Sequence, residues 1–598
     1  MPYNEKHHGL HGAFCLEKRV IGRIPRVLLG AVWLTALTAV RADGLEDTAR
    51  LARAGASELA LSEIDRQQPA YGKDPVAWLR WEDQRLYILQ SLQDWAAIVR
   101  RGQQLPEGVP VSFRNKALTL VADARLSLDE PPRARSVYRQ LLWHPTPGVS
   151  ARDQQRWREG IIRSYLAEGL LDDAETAIRR YRQDYPEQDD KVLPWMAEVL
   201  LQQGRFKEVL SLQTAVTDPA MQPVFELAAL RLSSDQSAEL CQRARQYLAN
   251  DAKVSYPQWV VFAEAAAVEQ DPRLRAESLE QALTRRPRGR TSPVFTLSGD
   301  QLWQAYLDYG HVYGNEQQLL IGDDQAWFLQ ATEQMPADPL LARALFAVLA
   351  FEAADHEQRE LAHQYLVKLL DDSDVMGRLL QALYLNNPRF PSKAAIPLAA
   401  RYRLVDQALA GGEIALASEL MQSLDQPPLG KQAWSWQLRR ARVMILGDAI
   451  DQGVALLRKL TAEPIEEPDA VDALLQVVFD LQKVSHHREA LAIFARLQAM
   501  PLDSRHRREL YFWMAESYTA LDEPRAAARA YLESAILEDE HAMDPWAQTA
   551  RYHAAKSLAA AGLQGDARSL LEQLLRVTQD DSRKAVLRQE LLQLDGRR

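Results

Sequence analysis

The chain has 598 residues, 47% of them hydrophobic and 25% charged, with only 27 glycines and a formal charge of −10. This composition excludes a disordered chain, and the length exceeds what one ordinary core accommodates. The negative balance opposes nucleic-acid phosphate, and two cysteines, Cys15 and Cys241, exclude a disulfide-built scaffold.

The first elements read as an export signal. Arg19, Arg23 and Arg26 precede an apolar stretch from Val27 to Val40, and Val40-Arg41-Ala42 sets small residues where a signal peptidase cuts. A signal peptide is expected over 1–42, giving a periplasmic protein; left uncleaved, the stretch would anchor the chain in the inner membrane, facing the periplasm. It is short for a comfortable transmembrane helix. Removal of this leader takes away Cys15, six Lys/Arg and two Asp/Glu, leaving a more acidic chain with Cys241 as its one thiol. Cys241 shares a helical face with Ala244 and Leu248 and reads as core.

From 43 to 286 the chain predicts helical pairs. Leu118 to Pro145 places Ala134 and Tyr138 on a second helix, with Asp129 at the turn. The clearest copy follows. Tyr165 ends a first helix over Gln154–Glu168, Gly169 suits the left-handed turn, Ala174 lets the second helix approach closely, and Pro186 stops it. Leu193 to Pro219 repeats the phrase with Gly204 and Phe206 at the turn and Val209 in the small position. Arg285-Arg286-Pro287-Arg288-Gly289-Arg290 then reads as a solvated basic linker.

Between 287 and 339 the rhythm fails. Trp303, Tyr306, Tyr309 and Tyr313 fall at three-residue and four-residue steps, one face of a helix, and Gly322-Asp323-Asp324 reads as a turn capping the helix of Trp327. Two readings fit: a non-repeating packing joint, or an aromatic patch for a partner. Pro293-Val294-Phe295-Thr296-Leu297 is the best strand candidate and is too short to found a sheet.

From 340 to 592 the phrase returns, before a tail over 593–598. Its marks are Ala490 and Phe494; Tyr518, Ala527 and Tyr531; and Gly562 and Ala567, with weaker echoes at Ala60, Ala276, Ala362, Ala417 and Ala455. Leu570, Leu571, Leu574, Leu575 and Val577 lie on one helical face. The spacing, about 35 to 40 residues, resembles the tetratricopeptide repeat, a helix–turn–helix unit. The resemblance implies an all-α fold, a right-handed superhelical solenoid of antiparallel helix pairs, whose units cannot close a core alone. It further implies a concave groove lined by first helices, and binding of a protein or peptide partner.

Residues for chemistry are scarce. His356 and His363 lack a third ligand for zinc, and no phosphate loop or dinucleotide fingerprint occurs. Some periplasmic lytic transglycosylases resemble this chain in their long helical portion, but here Glu516-Ser517 lies inside a repeat helix and no downstream catalytic segment follows. No enzyme activity, cofactor or metal is expected. The reading is a scaffold or adaptor of the bacterial cell envelope that binds a protein or peptide partner, and no nucleic acid. Its candidate contact residues are Trp303, Tyr306, Tyr313, Trp327, Trp157 and Trp195; Tyr165, Trp513 and Tyr552 are further aromatics on first helices. The alternatives are a protein acting on cell-wall or exported polysaccharide, and a membrane-tethered subunit of a secretion machine.

Overall fold

The computed structural model of the chain describes residues 44–143, 149–250, 253–287, 292–371, 374–462, 470–537, 539 and 541–596. The leader with Cys15, Pro145, and Arg288 to Arg290 of the basic linker lie outside the described residues. Within them, 31 α-helices and five short 3-10 turns follow one another and no strand occurs. None of these helices is long and apolar enough to cross a membrane. Pro293–Phe295, inside the best strand candidate, is a 3-10 turn. Its backbone is held from outside: Tyr256 donates its hydroxyl to the Phe295 carbonyl, which leaves no role for a strand partner.

The chain forms two compact units, Met1–Asp184 and Tyr185–Arg598. The described part of the first is four helix pairs: Gly44–Arg53 with Ser57–Gln67, Pro75–Ser91 with Trp95–Gln103, Val111–Ser127 with Pro131–Trp143, and Ala151–Glu168 with Leu171–Asp184. Each helix packs mainly on its neighbours in sequence, so the apolar face of one pair is covered by the next.

One backbone device closes most of the pairs. At Gly55, Gln93, Asp129 and Gly169 the residue after the first helix turns left-handed, with φ between 57° and 89°. The same device returns in the second unit at Gly204, Gln270, Gly412, Asp448, Ser485, Asp522 and Gly562. In each case the next amide reaches back to the carbonyl five residues earlier, at 2.8 to 3.0 Å, for example Leu170 to Tyr165 and His486 to Leu481. This satisfies a carbonyl orphaned by the helix end. Five residues past the turn, a buried side chain sits where the second helix crosses the first: Ala60, Ala134, Ala174, Val209, Ala417, Ala490, Ala527 and Ala567. Asp448 leads to Gly453, not to Ala455, which is exposed. A Cβ built on Gly453 would lie 2.8 Å from the Ala441 carbonyl oxygen, so this crossing admits no side chain.

In the second unit the described helices from Leu398 onward return to regular pairs, and Asp581–Gly596 follows them, running into the stretch read as a tail. Before Leu398 lies a packed joint. Pro339–Glu352 is apolar all round, with Ala342 to Ala350 buried without a break. It packs against Gly299–Tyr313, Asp324–Ala337 and His356–Leu369, while Asp374–Tyr384 returns to cover Pro272–Thr284 and Gly299–Tyr313. A helix hydrophobic all round needs such enclosure. At Gly299 a Cβ would lie 1.6 Å from the Ala382 carbonyl oxygen, so the returning helix requires glycine there.

Trp303 is the hub of this joint. It is fully buried. Edge-on rings surround it, Phe351 at 4.9 Å, Tyr384 at 5.5 Å and His363 at 6.3 Å between centroids, and its indole N–H donates to the Leu383 carbonyl at 2.9 Å. Tyr306 donates to Glu280, whose carboxylate also takes a two-pronged grip from Arg343 at 2.9 and 2.7 Å. This buried fork ties three helices together. His363 bonds the Tyr384 hydroxyl at 2.8 Å, and burial lowers its pKa from the usual value to about 3.

Two stability predictions follow from this packing. At Gly160 a Cβ would lie 2.4 Å from the Tyr138 ring, so Gly160→Ala is expected to cost about 1–3 kcal/mol by overpacking. Ser485→Gly relieves a left-handed cost of roughly 1–2 kcal/mol at the price of glycine's greater unfolded freedom, for a net gain of about 0.5–1 kcal/mol. Urea denaturation of the two variants checks both signs. A third prediction concerns acid. His363 stays neutral when folded but takes a proton below pH ~6.5 when unfolded, so its share of stability is complete above that pH and is lost as pH falls towards 3. His363→Gln removes this dependence, and between pH 7 and pH 5 it should lose about 2 kcal/mol less than the wild type, read by denaturation at the two pH values.

Candidate functional site

The best-formed cavity among the described residues lies within the N-terminal unit. It is a groove of about 800 Å³ lined by three successive first helices: Pro75–Ser91 gives Asp83, Gln84, Leu86, Tyr87 and Gln90; Val111–Ser127 gives Ser112, Asn115, Lys116, Thr119 and Leu120; Ala151–Glu168 gives Asp153, Arg156 and Trp157, with Val149 just before it. The groove slants from the later turns of the first of these helices to the opening turns of the third. The Lys116–Asp83 pair and the Trp157–Thr119 hydrogen bond link neighbouring first helices, so their faces form one surface.

Its floor is apolar. Leu86 and Trp157 are each 2% exposed, with Leu120 and Val149 half-buried beside them. The Trp157 indole N–H donates to the Thr119 hydroxyl at 2.8 Å, which locks the ring against the neighbouring helix. The rim carries Tyr87, 63% exposed, and the amide side chains of Gln84 and Gln90, which have no hydrogen-bond partner among the described residues.

The charges of the groove are matched within the protein. Lys116 pairs with Asp83 across two first helices. Arg156 pairs with Asp123 at 2.7 Å, and Asp123 also takes Arg163 and the Tyr138 hydroxyl. Burial, reinforced by the Asp123 charge, raises the Tyr138 phenol far above its ordinary value. Asp153 is used by the capping box with Ser150 at the start of its helix. Behind the groove Glu82 is fully buried and accepts the Arg101 guanidinium at 2.8 Å and the Gln68 amide at 3.0 Å, with Arg85 at 3.3 Å. Glu82 holds Arg101 firmly charged, raising its pKa. Three helices meet at this cluster, so the groove wall is preformed.

The aromatic residues singled out by sequence divide by exposure. Trp303, Tyr306 and Trp327 are all fully buried, and the Trp327 indole N–H donates to the Asn315 carbonyl at 2.7 Å. They leave no surface for a partner, because the returning helix Asp374–Tyr384 and the Asn315 turn cover them. Tyr313 is 54% exposed, against Tyr309 at 5.2 Å. Trp195 is half-buried on Asp189–Gln202. Trp157 alone of the six lies in the groove, and it forms the floor. Tyr165 is buried under Arg135 at 4.4 Å, Trp513 packs on Phe479 at 4.6 Å, and Tyr552 donates to Glu590 at 3.1 Å. The sequence reading missed Tyr87, Gln84 and Gln90, since two glutamines and a tyrosine on an amphipathic helix look like any solvated face.

The residues weighed for chemistry are engaged in packing. Ser517 is fully buried and accepts from Gln482 at 2.8 Å, and Glu516 accepts the Tyr531 hydroxyl. His356 is exposed while His363 is enclosed in the joint, so the two do not converge. Cys241 is buried and its thiol is pushed up to about 11, chiefly by burial. Among the described residues no three His, Cys, Asp or Glu side chains are placed to hold a metal ion.

No family model matches the chain, and no curated protein matches it. Among solved structures it is similar to a chain in the crystal structure of the APC/C hetero-tetramer Cut9–Hcn1, with 12% identity over 93% of this chain and 97% of that one and a TM-score of 0.26. It is also similar to yeast Tom70, with 13% identity over 81% of this chain and 96% of that one and a TM-score of 0.22. Scores this low do not decide a fold, and the assignment rests on the helix pairs themselves.

The groove geometry separates two kinds of variant. Tyr87→Ala and Gln90→Ala remove exposed groups and are expected to shift stability by no more than about 0.5 kcal/mol. Trp157→Ala opens the floor and should cost about 3–5 kcal/mol. Thermal unfolding followed by circular dichroism distinguishes the two.

Proposed function

We propose that this protein is a non-catalytic scaffold that holds an extended segment of a partner protein in the groove of its N-terminal unit. The observation that carries the reading is the groove itself: a preformed wall of three first helices with an apolar floor, exposed Tyr87, and unengaged amides at Gln84 and Gln90. Concave surfaces of this kind bind without much backbone change, which keeps the ordering cost low. Neighbouring first helices lie about 10 Å apart, so the groove spans on the order of 20 Å, or about six residues of extended chain.

The setting we propose is the cell envelope, with the periplasm as the compartment; support for it comes from the sequence pattern Arg19 to Ala42. A polysaccharide ligand draws less support. Sugar rings stack on exposed aromatic faces, and of the two aromatic rings lining the groove Trp157 is buried.

A photo-crosslinking amino acid placed at Tyr87 tests the reading in cells, with Leu592, 70% exposed at the far end of the chain, as the control position. A discrete protein adduct at Tyr87 that is absent at Leu592 is the expected result. Equal labelling at both positions, or none at Tyr87, would count against the groove.

A further inference from the structure

The charge pattern around the groove narrows what it takes. We infer that its ligand is an uncharged extended peptide, seated by apolar side chains on Leu120, Val149 and the Tyr87 ring and read along its backbone by the amides of Gln84 and Gln90. The inference rests on the groove being a peptide site and specifies the chemistry of that peptide.

Three observations converge on it. First, the cations that line the groove are matched. Lys116 is held by Asp83, and Arg156 by Asp123. An acidic peptide would have to break these pairs to gain its own. A basic peptide would meet Asp83 and Asp153, one paired with Lys116 and the other bound to its helix start. Replacing an internal pair by an equivalent external one returns little free energy at an exposed site. Second, the unengaged polar groups on the rim are neutral. A glutamine side chain both donates and accepts, which suits the alternating N–H and C=O of an extended backbone, and it offers no preference for either sign of charge. Third, the unit that holds the groove is itself balanced. From Gly44 to Asp184 it carries 21 Lys/Arg and 20 Asp/Glu, whereas Tyr185 to Arg598 carries 44 against 58. The acidity of the chain therefore resides outside the unit with the groove, whose own balance gives no net pull on a ligand of either sign.

The floor supplies the affinity. Leu120 and Val149, half-buried above the buried Leu86 and Trp157, form an apolar depression between the helices, with the exposed Tyr87 ring on its rim. A leucine-sized side chain seated there contributes about 1.5–3 kcal/mol by burial, and the amides fix direction and register.

The test is selection of peptides from a random displayed library on the full chain, followed by affinity measurement by fluorescence anisotropy. The expected winners are rich in Leu, Ile, Val and Phe and poor in Asp, Glu, Lys and Arg. Their Kd should change less than threefold between 50 and 500 mM salt (about, given that a single contributing ion pair is screened over that range). It should rise about tenfold or more in Tyr87→Ala or in the double variant Gln84→Ala, Gln90→Ala, both at the rim, where folding is not at stake. Winners rich in one sign of charge, with strong salt dependence but still sensitive to Tyr87→Ala, would overturn the uncharged ligand and leave the peptide groove standing. Winners indifferent to all three substitutions, no winners at all, or displacement of the winners by a neutral chito-oligosaccharide would overturn the groove as a peptide site as well.

Discussion

The architecture depends on a single left-handed residue after the first helix of most of the regular pairs. It reverses the chain in the fewest residues, it lets the next amide satisfy a carbonyl five residues back, and it sets the phase of the second helix so that the fifth residue onward falls at the crossing. Once that phase is set, only a small or well-fitted side chain can occupy the crossing. Ala174, Ala490 and Gly453 are consequences of the turn as much as causes of close packing. Within the N-terminal unit the first helices over Pro75–Ser91, Val111–Ser127 and Ala151–Glu168 then share one surface. The groove over Leu86, Leu120 and Trp157 lies on that surface.

The joint around Trp303 obeys different rules. There the helices are not held by a repeated turn but by a returning segment, Asp374–Tyr384, by two buried polar locks, the Arg343–Glu280–Tyr306 fork and the Trp303 bond to Leu383, and by the contact of the exposed Arg378 with the Thr284 carbonyl at 2.7 Å. Buried ion pairs return little net stability over apolar packing. Their value here is geometric, because a forked guanidinium accepts one orientation of the carboxylate and so fixes how the three helices meet.

How far the sequence could be read follows from the same physics. Gly169 with Ala174 and Gly562 with Ala567 were legible because glycine and alanine are what the turn and the crossing favour. Gln93 with Ile98, and Gln270, were not. The cost of a left-handed glutamine is roughly 1–2 kcal/mol, small enough for stacking to absorb, so the backbone keeps its conformation while the residue letter drifts. Ala455 misled for a related reason: Gly453, two residues earlier, occupies the crossing, and either letter fits the pattern. The aromatic steps from Trp303 to Tyr313 marked an unusual helix, but the burial of Trp303 depends on Leu383 and Tyr384, about eighty residues on, and no local pattern carries that information. The groove was anticipated as a surface of first helices, while Tyr87, Gln84 and Gln90 stayed hidden among ordinary solvated positions.

The joint also has a mechanical consequence. Pairs that touch only their neighbours can be peeled from an array one at a time, each yielding at a modest force. The helices around Trp303 share partners across about eighty residues of chain and cannot part singly. Pulled from its C-terminal end, the second unit would lose its last pairs in small steps and then hold, like a rope that runs freely until it reaches the cleat.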